Sequence, residues 1–217
     1  MRKHPGRALT VLLGIALGAS VFTSVRLSIH ASLDSFSRSM ELIAGRADRV
    51  LMRPGGSVPE QLVAKLIKHP LIESVSPLLT IYIRPERPNS DPFLLIGFDP
   101  ILDHSFRNWQ IAGNAKKEAD SWLDLLKDPY TLIIGQPLAL KYQWRQGDFI
   151  YLENARQTAR FRITGTLALQ GLALAEGGRV AFTDIATFQE FTGNYGQVDR
   201  IDLRFKPGVT EDRKSVV

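Results

Sequence analysis

Ala8 to Val25 runs for 18 residues without a charged side chain. As a helix that is about 27 Å at roughly 1.5 Å per residue. A bilayer's hydrocarbon core is about 30 Å thick, so the run suits a membrane span at the short end of the range. Arg2, Lys3 and Arg7 precede it with no acid among them, and Arg26 ends it. Basic residues flanking a span stay on the cytoplasmic side. The pattern therefore places the N-terminus in the cytoplasm and the chain after about residue 30 outside it. A cleaved signal peptide has a similar start, and Ala16-Leu17-Gly18 has the small-x-small form of a cleavage site. Apolar residues continue past it to Val21, Phe22 and Val25, which favours an uncleaved anchor. Gly14 and Gly18 share a helix face where a second membrane helix could approach closely.

Beyond the span, Ile29, Leu33, Phe36, Met40 and Ile43 recur at spacings of four and three. That is a heptad-like apolar stripe reaching about Ala44. Two readings stay open: a stripe packed on its own domain, or a stalk packed on a second helix rising from the membrane.

Composition excludes several functions. Arg2, Lys3 and Arg7 supply three of the 27 basic side chains, leaving 24 against 22 acidic ones. No basic stripe with interleaved aromatics occurs, so nucleic acid is not an expected partner. The chain has no cysteine, which removes disulfides, thiolate metal sites and cysteine nucleophiles.

Residues 46–217 read as an α+β globular domain. Arg49–Arg53, Leu71–Val75, Leu79–Arg84 and Phe93–Ile96 read as strands. Ser57-x-x-Glu60 has the form of a capping box ahead of a short helix. Pro85, Pro88, Asn89 and Pro92 mark a loop. Gly97 to Gly113 is less regular, and a helix is expected at about 115–127. Leu132–Ile134, Phe149–Leu152, Ala159–Thr164 and Arg179–Phe182 are further strands. Ile185, Phe188 and Phe191 mark a helix closed by Gly193. Ile201, Leu203 and Phe205 alternate with Asp202, Arg204 and Lys206, the clearest period-two pattern in the chain. The expected organisation is a transmembrane helix and stalk over 1–45 and an outer domain over 46–217. Within the latter, 46–92 and 179–217 form a first layer, and 93–178 is an inserted β-rich part.

The search for chemistry finds no phosphate-binding loop and no Gly-x-Ser-x-Gly elbow. Asp99, Asp103 and His104 are the only local group resembling metal ligands, and a polar turn after a strand accounts for them better. Asp120, Asp124 and Asp128 fall at i, i+4 and i+8, as on a solvated helix face. Gly165, Gly171, Gly177 and Gly178 surround the apolar run Leu167–Ala175; an ordinary hairpin is favoured there over an exposed contact loop. No catalytic, cofactor-binding or metal-ligating residue is assigned, and no cofactor is expected.

Several motifs occur in an order that resembles one family. They are Arg7-Ala-Leu-Thr-Val-Leu-Leu-Gly-Ile-Ala-Leu-Gly18, Ile96-Gly-Phe-Asp-Pro100, Ile133-Ile-Gly-Gln-Pro-Leu-Ala139 with Gln146-Gly-Asp148, Phe161-Arg-Ile-Thr-Gly165 and Val198-Asp-Arg-Ile-Asp202. The chain resembles the N-terminal part of an ABC-transporter permease of the FtsX/MacB type, with its MacB-like periplasmic core domain. The resemblance implies an inner-membrane protein with three further membrane helices after the outer domain. It implies a homo- or heterodimer of permease subunits in membrane lipid, with ATP hydrolysis on an ABC ATPase partner. Long stalk helices would pass that work outward by mechanotransmission, for export or for extraction of envelope substrates. A periplasmic adaptor or a lipoprotein is a further implied partner. No second apolar span occurs within the 217 residues, so the chain is expected to be a fragment of such a permease. The alternative is a membrane-anchored extracytoplasmic binding or adaptor module without an ATPase. An envelope enzyme is the least supported reading.

Overall fold

A computed structural model describes residues 5–44, 47–107, 124–167 and 176–209. The chain divides into two compact units, 1–41 and 42–217.

In the first unit, helix α1 runs unbroken from Pro5 to Ala44 over 40 residues, about 60 Å at 1.5 Å per residue. Its segment Leu9–Ala31, 23 residues, is long and apolar enough to cross a membrane, and none of it is buried within the protein. The span outlasts the charge-free run because the helix continues through Arg26, whose guanidinium lies 5.9 Å from the Phe22 ring. The hydroxyls of Thr10, Ser20 and Thr23 donate to the carbonyls of Gly6, Ala16 and Ala19 at 2.7–2.8 Å. Each satisfies its polar group within the helix, as hydrocarbon surroundings demand. A Cβ on Gly14 or Gly18 would meet nothing within 4 Å, so that face is open. Ile29 is exposed; the side chains of Leu33, Phe36, Met40 and Ile43 lie outside the described residues.

In the second unit, an eight-stranded mixed sheet is joined by a two-stranded one. The strands are β1 Arg49–Met52, β2 Val58–Pro59, β3 Ile72–Pro85, β4 Phe93–Phe98, β5 Thr131–Gly135, β6 Phe149–Glu153, β7 Thr158–Leu167, β8 Val180–Asp184, β9 Gln197–Val198 and β10 Arg200–Phe205. The helices are α2 Gln61–Ile67, α3 Pro100–Asp103, a turn at 124–127 (α4), α5 Gln136–Tyr142 and α6 Ile185–Thr192. The order in the large sheet is β1-β10-β3-β4-β8-β5-β7-β6, and β6 also pairs with β3 at Arg84↔Glu153 and Pro85↔Leu152. Strands β3, β4, β8, β5, β7 and β6 therefore close a ring, with β10 and β1 laid on the first half of β3.

Strand β3 is one strand of 14 residues, not the two expected on either side of Ser76 and Pro77. It spends its first half on β10 (Ile72 to Leu78) and its second on β4 (Leu78 to Ile83). Pro77 lies within the strand opposite Ile201, although its missing N–H reads as a breaker in sequence. Past the end of β10, the Asp199 carboxylate accepts from the Thr80 N–H at 2.6 Å and its hydroxyl at 2.9 Å. That occupies the ladder position a neighbouring strand would otherwise fill.

The expected capping box is absent. The Ser57 hydroxyl donates to Gln197 Oε1 at 2.9 Å, and Glu60 accepts from Gln189 Nε2 at 2.8 Å. Both side chains bond across to the β2–β9 region and α6, and α2 starts without a side-chain cap. Genuine caps occur at Asp99, which accepts from Ile101 and Leu102, and at Asp184, which accepts from Thr187. Gly193, at φ 72°, ends α6 in the left-handed region glycine tolerates.

Two apolar clusters follow from the alternation along the strands. The larger includes Leu79, Ile83, Leu95, Ile134, Leu152 and Phe161, and extends to Val63 of α2 and Leu203 of β10. The smaller lies on the other face of the same strands, around Leu94, Ile96, Phe98, Ile133 and Phe182, with Leu125 of α4 against it. Of the helix expected at 115–127, only 124–127 falls within the described residues and is helical. The run 168–175 and the chain after 209 lie outside them.

Candidate functional site

Strand β10 presents Ile201, Leu203 and Phe205 to the larger core. By strand alternation, Arg200, Asp202 and Arg204 point to the opposite face, where solvent would ordinarily lie. Here α3 and the turn after it cover that face. Arg107 forms ion pairs with Asp103, one turn earlier, and with Asp202. Arg200 Nη2 lies 3.2 Å from the same Asp202 carboxylate. The Ser76 hydroxyl of β3 donates to Asp103 at 2.5 Å. Asp103 and Asp202 are fully buried, and Arg107 nearly so.

Two carboxylates and two guanidiniums make this cluster neutral, which is what burial requires. Burial still leaves its mark. It pushes the Asp202 carboxyl up, against the pull of Arg200 and Arg107, and draws Arg200 down. Arg204, next along, reaches out to Glu73 at 3.4 Å and to the Ser105 carbonyl at 3.3 Å. The arrangement fastens the segment 99–107 to β3 and β10. Its carboxylates are held by guanidiniums and by the Ser76 hydroxyl, so the cluster acts as an electrostatic fastening.

The residues weighed in sequence are dispersed. Asp99 caps α3, Asp103 joins the buried cluster, and His104 is exposed, so the three do not converge on a metal. Among the described residues no group of three His, Asp or Glu side chains could hold one. Asp124 and Asp128 both face Arg162 of β7, at 3.7 Å and 2.5 Å, with side chains 37% and 55% exposed, so they pair with it while staying solvated. Asp120 lies outside the described residues. Gly165 is buried in β7 and Gly178 approaches β5: a Cβ on Gly135 would stand 2.3 Å from the Gly178 carbonyl oxygen.

No protein-family model and no curated protein sequence matches the chain. The fold does have relatives: it is that of the extracytoplasmic domains of ABC-type transporter permeases, MacB-like in its core. It is similar to the extracellular domain of the noncanonic ABC-type transporter YknZ from Gram-positive bacteria, with a TM-score of 0.54 and 12% identity, covering 74% of this chain and 78% of that one. It is likewise similar to the periplasmic region of MacB from Actinobacillus actinomycetemcomitans, with a TM-score of 0.51 and 12% identity over 73% of this chain and 70% of that one. At such identity the likeness lies in the arrangement of strands and helices, not in shared site residues. Among the described residues one helix, over Leu9–Ala31, is long and apolar enough to cross a membrane, and a domain of this fold follows it.

Proposed function

We propose that this chain is the N-terminal segment of an ABC-transporter permease subunit, transmitting ATP-driven motion to its extracytoplasmic domain for export or extraction of envelope substrates. What supports it most is the conjunction of a permease-type outer fold with a 40-residue helix. That helix carries an apolar span and continues 13 residues past it, from Ala31 to Ala44. The N-terminus is cytoplasmic in this reading, and residues after about 30 are extracytoplasmic. A second permease subunit, as a homo- or heterodimer, offers the companion helix for the open Gly14 and Gly18 face. ATP is hydrolysed on a partner ATPase subunit, and an adaptor or lipoprotein meets the outer domain. The chain itself catalyses nothing. The division of the outer domain into a layer of about 46–92 and 179–217 and an inserted part of about 93–178 belongs to the same reading.

The absence of native cysteine makes the topology directly testable. Single cysteines at His4 and Ser90 would be probed in intact cells with a membrane-impermeant maleimide. Labelling at position 90 and protection at position 4 is the expected result; the reverse removes the proposal. Co-expression with an ATPase encoded beside it then separates the permease from a free-standing anchored module. A permease segment co-purifies with that ATPase, whereas an anchored module does not.

A further inference from the structure

Strand β3 leaves β6 early. It pairs at Arg84↔Glu153 and Pro85↔Leu152, the Glu86 N–H donates to the Tyr151 carbonyl at 2.9 Å, and the chain then turns away at Arg87. Backbone groups along β6 alternate in direction. Asp148 C=O accepts from Ile163 on the β7 side, while Tyr151 C=O faces β3. Phe149 has the parity of Tyr151, so its N–H and C=O point away from β7, past the place where β3 has departed. Among the described residues no strand runs beside β6 there.

That stretch of edge is the wall of a cleft. A cavity of about 80 Å³ is lined by Glu86, Arg87, Trp144, Phe149, Ile150 and Tyr151. It shares Pro85, Glu86 and Arg87 with a wider, open hollow of about 450 Å³ under the 84–90 loop. Trp144 is only 6% exposed, and its indole N–H has no hydrogen-bond partner. A buried donor without an acceptor is costly and is usually paired. The Trp144 ring is held firmly, stacked on Tyr142 at 4.6 Å and edge-on to Phe93 at 6.4 Å. Phe149 and Tyr151 are 55% and 51% exposed on the outer face of β6. Guanidiniums stand over the rings: Arg87 at 6.0 Å from Trp144 and Arg160 at 4.6 Å from Phe149.

We infer that this cleft receives an extended segment of a partner protein, added to the β6 edge at Phe149, with acidic side chains set between apolar ones. Strand addition supplies the main-chain bonds. The Trp144 N–H takes a peptide carbonyl, the apolar side chains cover Phe149 and Tyr151 beside Arg160, and the acids, on the other face of the added strand, meet Arg87. The inference goes beyond the transporter reading and does not depend on it.

The test uses the full isotope-labelled chain in detergent micelles. The probes are synthetic extended peptides of about nine residues, a length spanning one strand, alternating Val or Phe with Asp. Two control sets replace Asp with Lys or methylate alternate backbone nitrogens. The acidic set is expected to shift the Trp144 indole and Phe149 amide resonances and to slow hydrogen exchange at Phe149. Lysine peptides should bind about tenfold more weakly, as loss of charge-assisted contacts implies, and methylated ones not at all. Trp144→Phe keeps the ring packing and should weaken binding by roughly three- to tenfold, the worth of one hydrogen bond. No shift with any acidic peptide at millimolar concentration overturns the inference. So does equal binding of the methylated set, or protection of the Phe149 amide before any peptide is added.

Discussion

Arg107, just past α3, is ion-paired with Asp202 of β10, 95 residues further along the chain. Because Arg107 also holds Asp103, one guanidinium ties α3 to β10, the second strand from the sheet's edge. Removing it strips both buried carboxylates of the guanidinium they share. Breaking a buried pair from one side costs about 3–5 kcal/mol. Arg107→Met should therefore unfold the outer domain or lower its melting midpoint sharply, as followed by circular dichroism. Glu73→Gln breaks the half-exposed pair with Arg204 and should cost less than about 1 kcal/mol.

The same cluster carries a pH signature. The folded-state pKa of Asp202 is raised, chiefly by burial. The unfolded chain titrates this carboxyl near about 3.9, so between that value and the folded pKa the folded state binds the proton and the unfolded state does not. The contribution of Asp202 is thus largest below the unfolded pKa and is lost as pH rises through the folded one. Melting curves from pH 4 to pH 7 should show the wild type losing stability relative to Asp202→Asn. A relative gain over that interval would mean the carboxyl titrates low.

Ile134 is fully buried in β5 between its neighbours β7 and β8. Ile134→Asp would place an unpaired charge in the larger core, a change costing about 4 kcal/mol or more. That is a large share of the ~5–15 kcal/mol by which domains are stable, so a loss of the cooperative melt is expected. An unchanged midpoint would disprove the burial.

Gly97 lies where α6 crosses β4. A Cβ there would sit 2.5 Å from Phe188 Cβ, closer than any packed contact. Gly97→Ala should cost about 1–3 kcal/mol by overpacking, measured by urea denaturation. Phe188→Leu in the same chain keeps the Cβ and Cγ that the added methyl would meet and should recover none of it. If the double variant is clearly more stable than Gly97→Ala alone, the clash with those two atoms is not the cause.

How much of this could be read from the sequence depended on the range of the forces involved. β6, β7, β10 and α6 were legible because alternation, capping and the Gly193 stop act within a few residues. The long apolar helix was legible for the same reason. β3 was not, because Pro77 signals a break locally while pairing with Ile201 supports it from 124 residues away. Ser57 and Glu60 misled because Gln197 and Gln189, 140 and 129 residues distant, take the hydrogen bonds a cap would have used. The buried cluster left one trace: Asp202 sits mid-strand in the clearest alternating segment, flanked by Arg200 and Arg204. Alternation says which residues share a face. It does not say that α3 will cover that face. The open β6 edge had no signal at all, since it arises from where β3 departs.

β3 spans about 46 Å at 3.3 Å per residue, and no loop interrupts it. At one end it lies against β10, at the other it closes the ring beside the cleft. Extended chain hardly stretches. The strand therefore acts as a spacer that holds the β10 end and the cleft end of the domain a fixed distance apart.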